Sequence, residues 1–309
     1  MASNEIEVLD PAATVEKLKK ISAGRALNRR HFMAALGMTG AAAGAALLSG
    51  CDTTPNFPPY LTAGAGQSDV LNFALNLEYL EATFYAFITT GADLPSSVLS
   101  GSGAVTGAPA AKLVFTGTNA TQITDMLNEI YYDEVNHVTD LRSILGASAV
   151  SRPAINLAAA GAITATNALS IARQFEDVGV TAYAGAAASL TSTNLAYAAQ
   201  ILAVESFHAG ALRLVSIQNP SIAAYAKADS LDVAPFDPGS AATAAAGPTA
   251  SGAFFTTAGA TTSSASVPAG FAFTRTTSQV LAILYANAAS GTKLGGFFPS
   301  GANGLINSV

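Results

Sequence analysis

Two histidines of this 309-residue chain stand in the same local frame. Glu134-Val135-Asn136-His137 and Glu205-Ser206-Phe207-His208 each set a glutamate three residues ahead of an imidazole. In a helix, residues i and i+3 face the same way one turn apart, so each pair can offer a carboxylate and an imidazole to one metal ion. Beyond residue 50 the chain has six glutamates. A given histidine therefore has roughly a 2% chance of a glutamate at that spacing, and two such pairs by accident are on the order of 0.05%. Two further glutamates share another neighbour: Glu78 is followed at seven residues by Tyr85, and Glu176 by Tyr183. The order along the chain is Glu…Tyr, Glu-x-x-His, Glu…Tyr, Glu-x-x-His, the mark of a duplicated helix pair.

Four segments with helical periodicity must position these groups. The first, 68–90, has the stripe Leu71, Leu75, Glu78, Ala82, Tyr85, with Ser68-Asp69 as N-cap residues. The second, 121–145, has Ile123, Leu127, Ile130, Glu134, His137, Leu141, Ile144 and stops at Gly146. The third, 166–190, has Leu169, Arg173, Glu176, Val180, Tyr183, Ala187. The fourth starts after Thr193, ends before Asn219-Pro220, and has Leu195, Ala198, Ile201, Glu205, His208, Leu212, Val215.

The acids thus fall on apolar stripes. Burying a bare carboxylate costs several kcal/mol unless it is paired or metal-bound. Few cations are at hand, since the region of the last three helices offers only Arg142, Arg152, Arg173 and Arg213. A bound cation therefore explains the pattern better than salt bridges, although Arg173 is expected to pair with Glu176. Four carboxylates would balance two divalent ions. Glu81 lies on nearly the same face as Glu78 and is open to three roles: a ligand, a partner of a histidine, or a proton donor. Tyr85 and Tyr183 are either core aromatics or groups that hydrogen-bond a ligand or carry a radical. Asp125, Glu129, Asp133 and Asp140 read as solvated residues. Asp177, about 100° from Glu176, reads as an outer partner or exposed.

The four-helix ligand order resembles the ferritin-like di-iron carboxylate bundles. Closer at hand, LNFALNLEYLEATFY, DEVNHV, FEDVGVTAY and AVESFHAGALR resemble the exported ferritin-like family that includes plant desiccation-related proteins, and TRTTSQVLAILY and GGFFPSGANG resemble the tails of its bacterial members. The resemblance covers residues 68–309. It implies an all-α, ferritin-like four-helix bundle over 68–218, with a long, partly irregular C-terminal extension over 219–309 that packs on the bundle. It also implies two iron ions, or two manganese ions, bridged by Glu134 and Glu205. Glu78 and Glu176 would be terminal ligands, and His137 and His208 one imidazole each. Against cage ferritins, the first connection is longer and a tail of nearly ninety residues replaces a short fifth helix. A homodimer is compatible with this, whereas a cage is not expected.

The chain ahead of this region has a separate character. Arg29-Arg30 is followed by His31, Phe32 and Met33, and from His31 to Cys51 there is no Asp, Glu, Lys or Arg. The arginine pair resembles a twin-arginine export signal, and Leu48-Ser49-Gly50-Cys51 resembles a bacterial lipobox, in which the cysteine is lipidated. The chain has one Cys, which excludes an intrachain disulfide and a Cys-based zinc site. Residues 1–51 are thus expected to be an export signal and 52–67 a tether, giving a cell-envelope lipoprotein held to a membrane through Cys51. Beyond residue 50 there are eight basic and sixteen acidic residues, a poor balance for nucleic acid. Residues 238–268 are rich in Ala, Thr, Ser and Gly, and 276–288 read as a short amphipathic helix that Arg275 caps. The functional expectation is oxidation of Fe(II) or removal of peroxide, with O2 or peroxide as the partner of the metal. The alternative is a non-catalytic metal-binding or stress-protective envelope protein.

Overall fold

The computed structural model describes residues 65–99, 101, 103–223 and 274–309, all within one compact unit, Phe57–Val309. The export signal with Cys51, nearly all of the tether, and the segment 238–268 lie outside the described residues. Five α-helices order the described residues: α1 (Gln67–Thr90), α2 (Ala120–Leu145), α3 (Ala168–Ala186), α4 (Ser192–Gln218) and α5 (Thr277–Leu284). Two strands of two residues, β1 (Val105–Thr106) and β2 (Ile155–Asn156), pair in parallel.

The helix bounds differ from expectation by a few residues at several ends, three of which have a visible cause. The N-cap of α1 is Gly66, and Asp69 lies in the first turn, where its carboxylate accepts the Gly66 N–H at 2.9 Å. The third helix stops at Ala186 and tightens into a 3-10 turn, Ala187–Ser189. The last helix ends at Leu284, because Ala286 and Asn287 take left-handed φ values of 63° and 60°.

α1 is buried on every side from residue 70 to 86. Apolar residues fall on every face of it, with Asn72, Asn76, Glu78, Glu81 and Thr83 buried among them, a pattern that suits a helix with no solvent face. α2 is amphipathic, and Leu145 is buried where Ile144 was expected. On α4, Leu195 is exposed and Val215 half-buried, so the predicted stripe loses its ends. α1 packs on α2 and α3, and α4 packs on α3 and α2. Glu78 meets Tyr183 while Tyr85 meets Glu176, so α1 and α3 run antiparallel. His137 faces Glu205 while His208 faces Glu134, so α2 and α4 do too. This is a four-helix bundle. The connection 146–167 must carry the chain back along it, since α2 spans about 39 Å at 1.5 Å per residue.

Two asparagines fasten α1 to its covers. Asn72 donates to Ser148 O and accepts from Val150 N, both at 2.9 Å. Asn76 donates to Asn303 O and accepts from Asn303 N, again at 2.9 Å. Buried amides need such partners. They tie the helix to the 146–167 connection and to the C-terminal tail. The tail is held further by Phe297, whose N–H donates to Leu284 O at 2.8 Å and whose ring meets Phe175 edge-on at 5.1 Å. Gly296 permits this approach, because a Cβ there would lie 2.3 Å from Leu284 O. No helix of the described residues is long and apolar enough to cross a membrane.

Candidate metal centre

The middle of the bundle gathers acids from all four long helices. Glu78 and Glu81 come from α1, Glu134 and His137 from α2, Glu176 from α3, Glu205 and His208 from α4. All are buried, with Glu78, Glu134, Glu176 and Glu205 at 0% exposure. Two groups of four donors form, each with its ligand atoms within 4.8 Å of one another. One is Glu78, Glu134, His137 and Glu205; the other is Glu134, Glu176, Glu205 and His208. Glu134 and Glu205 belong to both.

Both imidazoles turn Nδ1 inward. His137 Nδ1 lies 3.1 Å from Glu78 Oε2, 3.3 Å from Glu134 Oε2 and 3.4 Å from Glu205 Oε1. His208 Nδ1 lies 3.1 Å from Glu176 Oε2 and 3.2 Å from Glu134 Oε1. Yet Glu134 Oε1, both oxygens of Glu205 and Glu81 Oε2 make no hydrogen bond. Nδ1 of His137 hydrogen-bonds Glu78 Oε2 and Glu134 Oε2, and Nδ1 of His208 hydrogen-bonds Glu176 Oε2, so the approaches of Glu205 Oε1 and Glu134 Oε1 are the ones that lack hydrogen-bond alignment. Buried carboxylate oxygens left without donors are costly, and oxygens converging with imidazole nitrogens suit a shared cation. The residues present fit a metal.

The tyrosines connect the two halves crosswise. Tyr85 of α1 donates to Glu176 Oε1 of α3 at 2.5 Å, and Tyr183 of α3 donates to Glu78 Oε1 of α1. They orient the two glutamates that each belong to one donor group only. Glu81 stands outside both groups. Its carboxylate sits over Gly179 of α3: a Cβ at that glycine would lie 2.4 Å from Glu205 Oε2 and 3.3 Å from Glu81 Oε1. Glycine in a helix interior costs about 1 kcal/mol relative to alanine. Here it makes room for two carboxylates.

Charge in this dry space moves the titrations far. Burial and the surrounding glutamate charges push Glu81 and Glu205 well above the usual carboxylate range. Burial also raises Glu134, to about 7, although the His137 charge opposes it. For Glu78, burial acts upward, but the charge and hydrogen bond of His137 prevail and lower it. Burial works against charging the imidazoles, yet the facing carboxylates win. His208 is pushed up to about 12, and His137 rises strongly. Burial followed by the Glu176 or Glu78 charge raises Tyr85 and Tyr183 well above the phenol range. Without metal, the cluster retains protons that a cation would have to displace.

Several polar residues take places or partners other than those expected. Asp133, read as solvated, accepts from His208 Nε2 at 3.1 Å and is 38% exposed. Asp125, Glu129 and Asp140 do face solvent. Arg173 pairs with Asp177, not Glu176, and Asp177 is buried and also takes Arg213 at 2.8 Å. Arg275, expected to cap the tail helix, is buried and donates to Thr181 Oγ1 at 2.6 Å. The arginines are thus occupied away from the centre. One sequence signal could have found Asp133: it sits four residues before His137 and directly before Glu134, a position that turns toward α4.

Residues 66–218 match the family model of the ferritin-like domain. This part of the chain is a ferritin-like domain. Comparison with curated proteins and with solved structures finds no significant match. The match spans α1 to α4 and every donor of the two groups. A ferritin-like domain with a buried cluster of carboxylates and imidazoles can hold a metal, and its donors are oxygen and nitrogen without sulfur. Such a set suits iron, manganese or zinc and disfavours soft cations.

Proposed function

We propose that the ferritin-like domain holds two metal ions, iron or manganese, between Glu78, Glu134, Glu176, Glu205, His137 and His208. One observation carries this reading: the two donor groups share Glu134 and Glu205 and leave carboxylate oxygens of both without donors. A shared pair of carboxylates with one carboxylate and one imidazole on either side is a two-ion arrangement. Four carboxylates balance two divalent charges, and Glu81 keeps the count at four while it holds its proton.

When bound, such a pair supplies two electrons, which with two protons reduce dioxygen to hydrogen peroxide or peroxide to water. The protein provides the rest. Tyr85 and Tyr183 fix the outer carboxylates, the apolar surround of α1 and α3 excludes water, and Asp133 holds the His208 ring through Nε2. The proposed activity is therefore oxidation of Fe(II) or removal of peroxide. The run from Arg29-Arg30 to Cys51 supports placing it in the cell envelope of a bacterium, on a lipid anchor.

The deciding experiment is elemental analysis of protein purified without added metal, alongside Glu134→Ala and His208→Ala. About two ions per chain in the wild type, and fewer in the variants, is the expected result. No iron, manganese or zinc after reconstitution would overturn the reading. Metal without turnover of Fe(II), O2 or H2O2 would leave a non-catalytic metal-binding protein of the envelope.

A further inference from the structure

A cavity of about 190 Å³ lies beside the bundle, between α3 and the C-terminal tail. Ile171, Phe175 and Val178 of α3, Ile283 and Leu284 of α5, and Phe297 form its apolar wall, and the amides of Gln174 and Asn287 stand at it as polar groups. For scale, a 150 Å³ apolar cavity holds a benzene ring. The chain turn that shapes one side is strained, since Ala286 and Asn287 are non-glycine residues at positive φ. Tyr285 between them and Leu284 is pinned, its hydroxyl donating to Asn307 O at 2.9 Å and accepting Ala302 N–H at 3.1 Å.

A second space begins where this one ends. A crevice of about 10 Å³ is lined by Leu77, Leu80, Glu81 and Gly179, together with Phe175, Val178 and Leu284. Those last three side chains belong to both spaces and separate them. At the inner end stand Glu81, whose Oε2 is buried without a partner, and Gly179, whose missing side chain leaves Glu81 and Glu205 adjacent. The sequence of spaces runs from the tail-covered flank to the carboxylates of the candidate metal centre.

We infer that dioxygen reaches the metal pair along this route, through the cavity, past Phe175, Val178 and Leu284, to Glu81. This rests on the metal reading above. The crevice has room for about one water-sized sphere, which limits a traveller to a few atoms. Its aliphatic and aromatic walls offer no hydrogen bond before Glu81. Hydrogen peroxide would have to shed its hydration there, at a cost of kilocalories per polar group. Dioxygen, an apolar diatomic, does not. The reaction so fed is oxidation of two ferrous ions by one dioxygen, with two protons taken up to give hydrogen peroxide. The C-terminal tail becomes the outer wall of the passage, a role beyond packing.

The test uses the full chain loaded anaerobically with ferrous iron and mixed with buffer of graded dioxygen content. Val178→Phe fills the partition, and Ile283→Trp fills the outer cavity from a half-buried position where folding is tolerant. Both are expected to keep the iron content of the wild type. The second-order rate with dioxygen should fall about tenfold in the first and several-fold in the second, with the rate for hydrogen peroxide unchanged. Xenon under pressure should occupy the cavity in crystals of the wild type. Unchanged dioxygen rates in iron-loaded variants, equal losses with both oxidants, or a cavity without xenon would each overturn the route. Wild-type protein that takes up no iron would instead overturn the metal reading. If Val178→Phe does not fold, Ile283→Trp and xenon decide alone.

Discussion

The first helix pair, α1 and α2, and the second, α3 and α4, repeat one frame and depart from it at two positions beside the centre. Three residues after the leading glutamate, α1 has Glu81 where α3 has Gly179. One residue before the Glu-x-x-His glutamate, α2 has Asp133 where α4 has Val204. The repeated positions build the two donor groups and their crosswise tyrosines. The departures make the two sides of the bundle unlike. The α1–α3 side is dry, covered by the tail, and holds a fifth carboxyl. The α2–α4 side reaches solvent through an acid against His208. Repetition supplies the candidate site, and the breaks in repetition give it an inside and an outside.

Gly179→Ala should break the comparison most severely. The added methyl would lie 2.4 Å from Glu205 Oε2, on a carboxylate that both donor groups use. We expect loss of most bound metal and about 1–3 kcal/mol of stability from overpacking, read by elemental analysis and calorimetry. Gly210 on α4 has open space at the corresponding distance, so Gly210→Ala should hold its metal and gain up to about 1 kcal/mol.

Burial of the whole cluster, on both helix pairs, also sets the pH response of the metal-free protein. Between pH 4.5 and about 7 the folded chain keeps a proton on Glu134 that the unfolded chain loses. Glu81, Glu205 and both raised imidazoles extend that trend upward, while the lowered Glu78 opposes it only below 4.5. The native state binds more protons, so stability falls as pH rises. With chelator present, the melting temperature should be lower at pH 8 than at pH 5. Metal binding releases those protons, so affinity should rise over the same interval. A metal-free protein more stable at pH 8 would refute this assignment of charge.

Much of this was legible in the residues. The helices and the six donors followed from periodicity, because an acid on an apolar stripe has few stable alternatives. The partners of Arg173 and Arg275 were not legible, since they depend on which helix faces which, and spacing along one helix is silent on that. Asp133 is solvated as expected, but its contact with His208 was hidden for the same reason: that partner lies on α4. The β1–β2 pairing joins two loops about fifty residues apart and has no local period to announce it. The cavity arises from a turn at Ala286-Asn287 whose left-handed backbone the composition does not betray.

The tyrosines should respond as a matched pair. Tyr85→Phe and Tyr183→Phe each remove a hydroxyl donated to a buried carboxylate, a bond worth about 1.5–3 kcal/mol. Each variant should bind its metal roughly tenfold or more weakly, by calorimetric titration, and the two losses should be alike. A large inequality would mean that the repeated frame is not energetically repeated.

Asp133→Asn probes the smallest departure. The amide keeps the shape and can still accept from His208 Nε2, but it removes the charge that favours an imidazole turned inward by its other nitrogen. Carboxylates that hold a metal-binding histidine in this way contribute about 10–100-fold in affinity. Asp133 is 38% exposed, so water weakens its field and the lower end applies. His137 has Val204 in the matching place and no such partner to lose. The titration should therefore divide into two steps, with only the ion served by Glu176 and His208 weakened, by about tenfold. Equal weakening of both ions would show that the shared carboxylates Glu134 and Glu205 transmit the change across the pair.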